Sequence, residues 1–301
     1  MKAIYKRELR SYFSSMYGYV YLAFTLCVIG IYVTMNNLLS STAEMAYTFS
    51  DMAFMSIFLI PVLTMRSFAE ERRNKTDMFL LSLPIKPYEV VLGKYLAMLS
   101  VFGIPVAVTA LFGMTLRLFS DGSVLLGSIG SSLVAGISYL LLGALLIAIC
   151  MFISSLTDSV VLAAVGGFAA VLVLYFMDYA VVIATYIDAL FPESASLISF
   201  ICLVALCALF SLVSGLLSKS STIGMIAAAA LIIPLSAVYV IWSDAFIGLF
   251  AKVLTYLSAF ATFSSMTLGA FSISGLVFFA SAIFFCVYMT VQSLEKRRWN
   301  N

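Results

Sequence analysis

The sequence predicts an all-α polytopic integral membrane protein with about eight transmembrane helices and both termini in the cytoplasm. Three observations carry that prediction. Hydrophobic residues make up 63% of the 301-residue chain and charged residues only 10%, whereas soluble domains run nearer half apolar and a quarter charged. Apolar runs of spanning length recur from end to end. The lysines and arginines gather in alternate connections between those runs.

A helix needs about 20 apolar residues to cross the hydrocarbon core. Runs of that kind fall at 17–38, 50–68, 95–117, 124–153, 159–181, 197–217, 222–242 and 272–293. The first is long enough to span, follows a charged segment and precedes no small-residue cleavage site, so it reads as a permanent span. The fourth exceeds a simple crossing and must tilt or project into water. Orientation follows from the basic residues. Lys2, Lys6, Arg7, Arg10, Arg66, Arg72, Arg73, Lys75, Lys86, Lys94, Lys219, Lys296, Arg297 and Arg298 fall in connections on one side, leaving only Arg117 and Lys252 on the other. The positive-inside rule makes the first side cytoplasmic.

Three segments are polar enough to meet water. In Met1–Ser15, the residues Ile4, Tyr5, Leu9, Tyr12 and Phe13 form one helical stripe with Lys6, Arg7, Glu8 and Arg10 largely off it. That spacing predicts an amphipathic helix at the cytoplasmic interface, residues 1–15. The rest, 16–301, is the membrane domain. Its cytoplasmic loop 66–94 carries ten charges, has apolar residues at Met78 and Leu81, and is broken by Pro84 and Pro87. A short charged helix, a proline-bounded turn and a second helix entering the third span are expected, a form suited to docking another protein. The external segment 243–271 places Phe246, Phe250, Leu254 and Leu257 at near-helical spacing, while Asp244 and Lys252 argue against a separate span.

Composition excludes several chemistries. With no histidine, imidazole catalysis and histidine-ligated metals are absent. The cysteines Cys27, Cys150, Cys202, Cys207 and Cys286 all lie within apolar runs, no pair at CxxC spacing, and read as small buried hydrophobes. Gly93-Lys94 lacks the preceding glycine frame of a phosphate-binding loop and is followed by Tyr95, so the chain carries no nucleotide site of that type. Nothing suggests nucleic acid as a partner.

Three motifs stand at the start, middle and end: "YKRELRSYFSSMYGYV", "FAEERRNKTDMFLLSLPIKPYEVVLGKYLA" and "SLEKRRW". In order and spacing they resemble the ABC-2 type transporter permeases, in the branch of the gliding-motility and nitrous-oxide-reductase maturation permeases. The resemblance implies a non-catalytic permease subunit of an ABC transporter, an exporter of the bacterial cytoplasmic membrane. It would pair with a second permease subunit, identical or not, and with two copies of an ATP-binding subunit that hold the ATP and Mg. An accessory extracytoplasmic protein is a further implied partner, beside membrane lipid. This chain itself is expected to bind no cofactor.

Carried over, the coupling helix seated on the ATPase comprises Glu70, Glu71, Arg72, Arg73, Thr76, Asp77, Met78, Phe79, Leu80 and Pro84, followed by Gly93-Lys94. Arg7, Glu8 and Arg10 lie on the connecting helix. The family usually has glycine where this chain has Lys75, and members of this branch commonly have six spans, so 195–242 reads as an additional hairpin. The competing reading is a secondary transporter not driven by ATP, which would place ionisable groups near the midplane; here the acids map to span ends and loops. An intramembrane enzyme is the third reading, and no span carries an acidic pair for it.

Overall fold

A computed structural model of the chain describes residues 1–40, 44–76, 86–119, 125–191, 195–218, 229–230, 232–236, 239, 242, 246, 248–268 and 272–300. Among the described residues the regular elements are all helical. They are α1 (Lys2–Ser14), α2 (Met16–Val33, continued by a π-helical turn Thr34–Leu38), α3 (Ala46–Thr64), α4 (Ala69–Arg73), α5 (Pro87–Phe119), α6 (Leu125–Leu156), α7 (Val160–Leu190), α8 (Ala195–Ser218), α9 (Leu249–Leu257), α10 (Ala259–Leu268) and α11 (Ile273–Asn300).

Six of these segments are long and apolar enough to cross a membrane: Met16–Leu38, Ala46–Arg73, Pro87–Thr115, Gly130–Leu156, Val160–Leu190 and Ile273–Arg297. They correspond to the first five and the last of the eight apolar runs in the sequence. The sixth run is α8. The seventh, 222–242, lies largely outside the described residues. Within 243–271 the chain forms two short helices, α9 and α10, separated at Ser258, whose ψ of 115° is extended rather than helical.

The chain divides into two compact units, Met1–Tyr175 with Thr262–Asn301, and Phe176–Ala261. In the first, α6 is the central helix and packs against α3, α5 and α11. Its Tyr139, 2% exposed, donates or accepts a 2.9 Å hydrogen bond with Ser56 of α3. The rings of Phe49 and Phe102 lie 5.6 and 5.4 Å from it. Gly143 gives the Phe102 ring its place, because a Cβ there would overlap the ring edge. Burying a polar phenol requires such a partner, and Ser56 supplies it without a charge.

Away from the basic end of this unit, α2 and α3 are pinned by amides. Asn37 is 2% exposed; it donates to Glu44 O at 3.0 Å and accepts from Thr48 Oγ1 at 2.7 Å. Asn36 donates to Asp51 Oδ2 at 2.6 Å. The second unit has a small core of its own, Ala184, Ala251 and Leu254, with Met177, Ala180, Val181 and Phe250 packed around it. The near-helical spacing at Phe250 and Leu254 therefore faces a protein core, while Leu257 is half-exposed.

Candidate site: a charged junction of the N-terminal helix, the loop helix and the third span

The N-terminal helix forms as its stripe predicts. Ile4 is buried, Tyr5, Leu9, Tyr12 and Phe13 are partly buried, and Lys2, Lys6, Arg7 and Arg10 are exposed. Ser15 is extended, with φ −99° and ψ 152°, so the chain turns there before entering α2. Tyr12 donates to Leu63 O at 3.3 Å, and burial pushes its phenol pKa up from the ordinary value. Helix α1 lies close on α5 because position 93 is glycine: a Cβ there would stand 2.9 Å from Ile4 Cγ2. This is the physical reason for glycine in the Gly93-Lys94 pair.

One feature departs from the stripe. Glu8 falls on the packed face, with its side chain 16% exposed, because a cation stands opposite. Lys94 of α5 is 3% exposed. Its ammonium donates to Ser67 O at 2.8 Å and to Glu71 Oε1 at 2.8 Å, and lies 3.4 Å from Glu8 Oε1. Two of its three N–H donors are thus hydrogen-bonded, and Glu8 adds an ion pair. The Phe68 ring covers it at 5.2 Å, a cation–π contact. Arg7 closes the cluster, 2.6 Å from Glu8 Oε1 and 3.3 Å from Glu71 Oε1. Two cations and two carboxylates cancel, which is the condition for keeping charge out of water.

The loop helix α4 is short, so its ends must be satisfied from outside. Ser154 of α6, wholly buried, accepts from the amides of Phe68 and Ala69 at 3.3 Å each and donates to Met65 O at 3.3 Å. At the other end Lys75 N bonds Arg72 O at 3.0 Å and Thr76 N bonds Glu71 O at 2.9 Å, the pairing of a Schellman cap. The residue that such a cap puts in the left-handed region is Lys75, at φ 55°. Glycine adopts that conformation without penalty, so the place where the family usually has glycine is the place where this backbone needs one.

A second cluster joins α4 to the connection between α6 and α7 and to the last helix. Asp158 Oδ1 accepts from Arg297 at 2.9 Å and lies 3.8 Å from Arg72. Arg66 pairs with Glu70 one turn on, at 3.3 Å, with both side chains about two-fifths exposed. A cleft of about 350 Å³ is bounded by α1, the start of α2, the connection after α3, α4 with the turn that follows it, and Lys94 of α5.

The residues singled out by the sequence therefore divide. Glu8, Glu71 and Arg72 turn inward and hold the junction together. Arg10, Arg73 and Thr76 are exposed, and Glu70 lies at the edge of the cleft. Asp77, Met78, Phe79, Leu80 and Pro84 lie outside the described residues. Sequence reasoning named Lys94 only as the end of the coupling loop, without its buried ion partners, and missed Ser154 and Asp158. Only Lys94 left a signal, a lone charge inside the apolar run "VVLGKYLAML". Among the described residues, no group of three metal-ligating side chains could hold an ion.

No curated protein and no solved structure matches the chain significantly. The family model described as "ABC-2 family transporter protein" matches residues 9–222, from within α1 through the junction and into the segment after α8. That is well over half of the sequence, and the chain belongs to the ABC-2 family of transporter proteins.

Proposed function

We propose that this chain is the permease subunit of an ABC exporter and that the junction around Lys94 receives the stroke of a separate ATP-binding subunit. Membership of the ABC-2 family supports a multi-pass permease of an ABC transporter, and with it an ATP-binding partner. The finer reading rests on one observation: Glu8, Glu71 and Lys94, from three separate segments of the sequence, share one buried ion cluster. A push on α4 is then felt at once by α1 and α5, and through Ser154 by α6. The response would be a rigid-body rearrangement of packed helices.

In this reading the cytoplasmic face carries α1 as the connecting helix and loop 66–94 as the coupling element. The exposed Arg73 and Thr76, together with Asp77, Met78, Phe79, Leu80 and Pro84, meet the ATPase, while Glu8 and Glu71 transmit. Two permease subunits and two ATPase subunits form the working unit, with ATP and Mg in the latter. The setting is a bacterial cytoplasmic membrane, and 195–242 is a hairpin added to the six-span plan.

The test is co-purification in nanodiscs with the ATP-binding subunit encoded beside the gene, comparing wild type with a chain scrambled over 70–81. A complex that forms with wild type and is lost in the scramble, with membrane insertion unchanged, is the expected result. Failure of wild type to hold any cassette ATPase would overturn the reading and favour a transporter driven by an ion gradient.

A further inference from the structure

The N-terminal helix has two edges that meet different surroundings. Tyr5 shares a 3.0 Å hydrogen bond with Ser100, which lies further along the α5 span than Lys94 of the junction. That side of α1 therefore points toward the bilayer. Arg7, about 160° round the helix from Tyr5, points the other way and pairs with Glu71 on α4. Much of the apolar stripe between them is used on protein: Ile4 lies against Gly93 and Tyr12 bonds Leu63 O. Little of it is left to sink into lipid.

The edge away from Ile4 is different. Lys2, Lys6, Leu9 and Phe13 recur there at i, i+4, i+7 and i+11, one row of an α-helix. Leu9 and Phe13 are half-buried, and both lysines are exposed. Among the described residues neither lysine has an ion partner. The row ends on the first membrane-spanning helix, because the Phe13 ring meets the Tyr19 ring edge-on at 5.9 Å. Tyr19 is 58% exposed in the first turn of α2, and Val20, Phe24 and Ile31 continue an exposed apolar face along that span. An aromatic pair at the mouth of a span marks the headgroup level. The two ammoniums are therefore carried beside the phosphate layer, on flexible stems that can reach it.

We infer that Lys2 and Lys6 hold an anionic phospholipid against the outer edge of α1. The headgroup phosphate pairs with the two ammoniums, and the acyl chains lie on Phe13, Val20 and Phe24. The positive-inside rule places this end of the helices at the cytoplasmic leaflet, whose surface is negative. A zwitterionic headgroup brings its own ammonium and cancels most of that attraction. An ATPase docked on α4 would approach from the Arg7 edge, on the side away from the bilayer. Helix α1 is also tied to Lys94 through Glu8, so lipid held at this edge restrains the junction from outside.

The experiment is native mass spectrometry of the detergent-purified full chain titrated with phosphatidylglycerol or phosphatidylethanolamine of identical acyl chains. Wild type is expected to retain phosphatidylglycerol roughly tenfold better, the scale of two surface cations beside a negative headgroup. The double variant Lys2→Gln, Lys6→Gln should lose most of that preference, while its thermal unfolding without lipid stays as in wild type. The double variant Lys2→Arg, Lys6→Arg should keep it, and so should Lys252→Gln, which removes a cation elsewhere. Equal retention of the two lipids by wild type would overturn the inference, as would a preference unchanged in the glutamine variant or lost equally in Lys252→Gln. A glutamine variant that keeps the preference but no longer co-purifies with an ATPase would make the edge a protein contact instead. The lipid measurements need no ATPase, so the proposed function can fail or stand independently.

Discussion

The two ion clusters on either side of α4 use the same chemistry in opposite surroundings. At one, Lys94 is 3% exposed and meets Glu71 and Glu8, whose side chains are 22% and 16% exposed. At the other, Asp158 is 69% exposed and meets the 34%-exposed Arg297 at 2.9 Å, with the buried Arg72 farther off at 3.8 Å. Exposed pairs are worth about 0–1 kcal/mol because water and salt compete for them. Breaking a buried pair costs about 3–5 kcal/mol, because the remaining charge is stranded. The contrast divides the molecule mechanically. Helices α1, α4 and α5 are held together by a contact that cannot be broken piecemeal, while the connection after α6 and the end of α11 are tied on by one that can.

The largest effect should come from stranding Lys94. Glu71→Leu removes its shortest carboxylate contact, 2.8 Å, and should destabilise the detergent-solubilised chain by about 3 kcal/mol or more, read as a fall in the midpoint of thermal unfolding. Replacing Lys94 by Met in the same variant should recover part of that loss, since two apolar residues strand no ammonium. Lack of recovery would show that the cluster is not behaving as a buried pair.

A smaller effect, of opposite sign, is expected at the end of α4, the helix that serves both clusters. Lys75→Gly removes the penalty of holding an L-residue at φ 55°, roughly 1–2 kcal/mol, less the extra freedom glycine gains when unfolded. The net gain should be about 1 kcal/mol, visible as a modest rise in the unfolding midpoint. A loss of stability would mean that the Lys75 side chain makes a contribution the Schellman cap does not explain.

The smallest effect belongs to Asp158. Asp158→Asn should cost less than about 1 kcal/mol, and the difference from wild type should shrink further in high salt. A cost near that of Glu71→Leu would erase the contrast between the clusters.

Much of the architecture was legible because lipid imposes simple local demands. Hydropathy and run length located α2, α3, α5, α6, α7 and α11, since each must be apolar over a spanning length and bond its own backbone. The amphipathic stripe of α1 was legible for the same reason, with the exception of Glu8, whose position on the packed face depends on Lys94, 86 positions later. The parse of the loop held where it is described: α4 is a short charged helix, and α5 starts at Pro87, a favoured first helical position. The cap at Lys75 was visible only as a mismatch with the family's glycine.

By itself, the amino-acid sequence determined that this is a multi-pass helical membrane protein with most of its basic residues in alternate connections between apolar runs, and its motifs already pointed to the ABC-2 permeases. Those properties depend on composition, period and short patterns, which are local. Only the tertiary structure decided that Glu8 and Glu71 share Lys94, that Ser154 caps a helix more than eighty residues before it, and that Asp158 joins Arg72 to Arg297. Such pairings join residues on different helices, and no local pattern states which distant charge will neutralise a buried one. The selection is made by desolvation: once α5 packs on α1 at Gly93, Lys94 is removed from water, and only the carboxylates brought there by the fold can stabilise it.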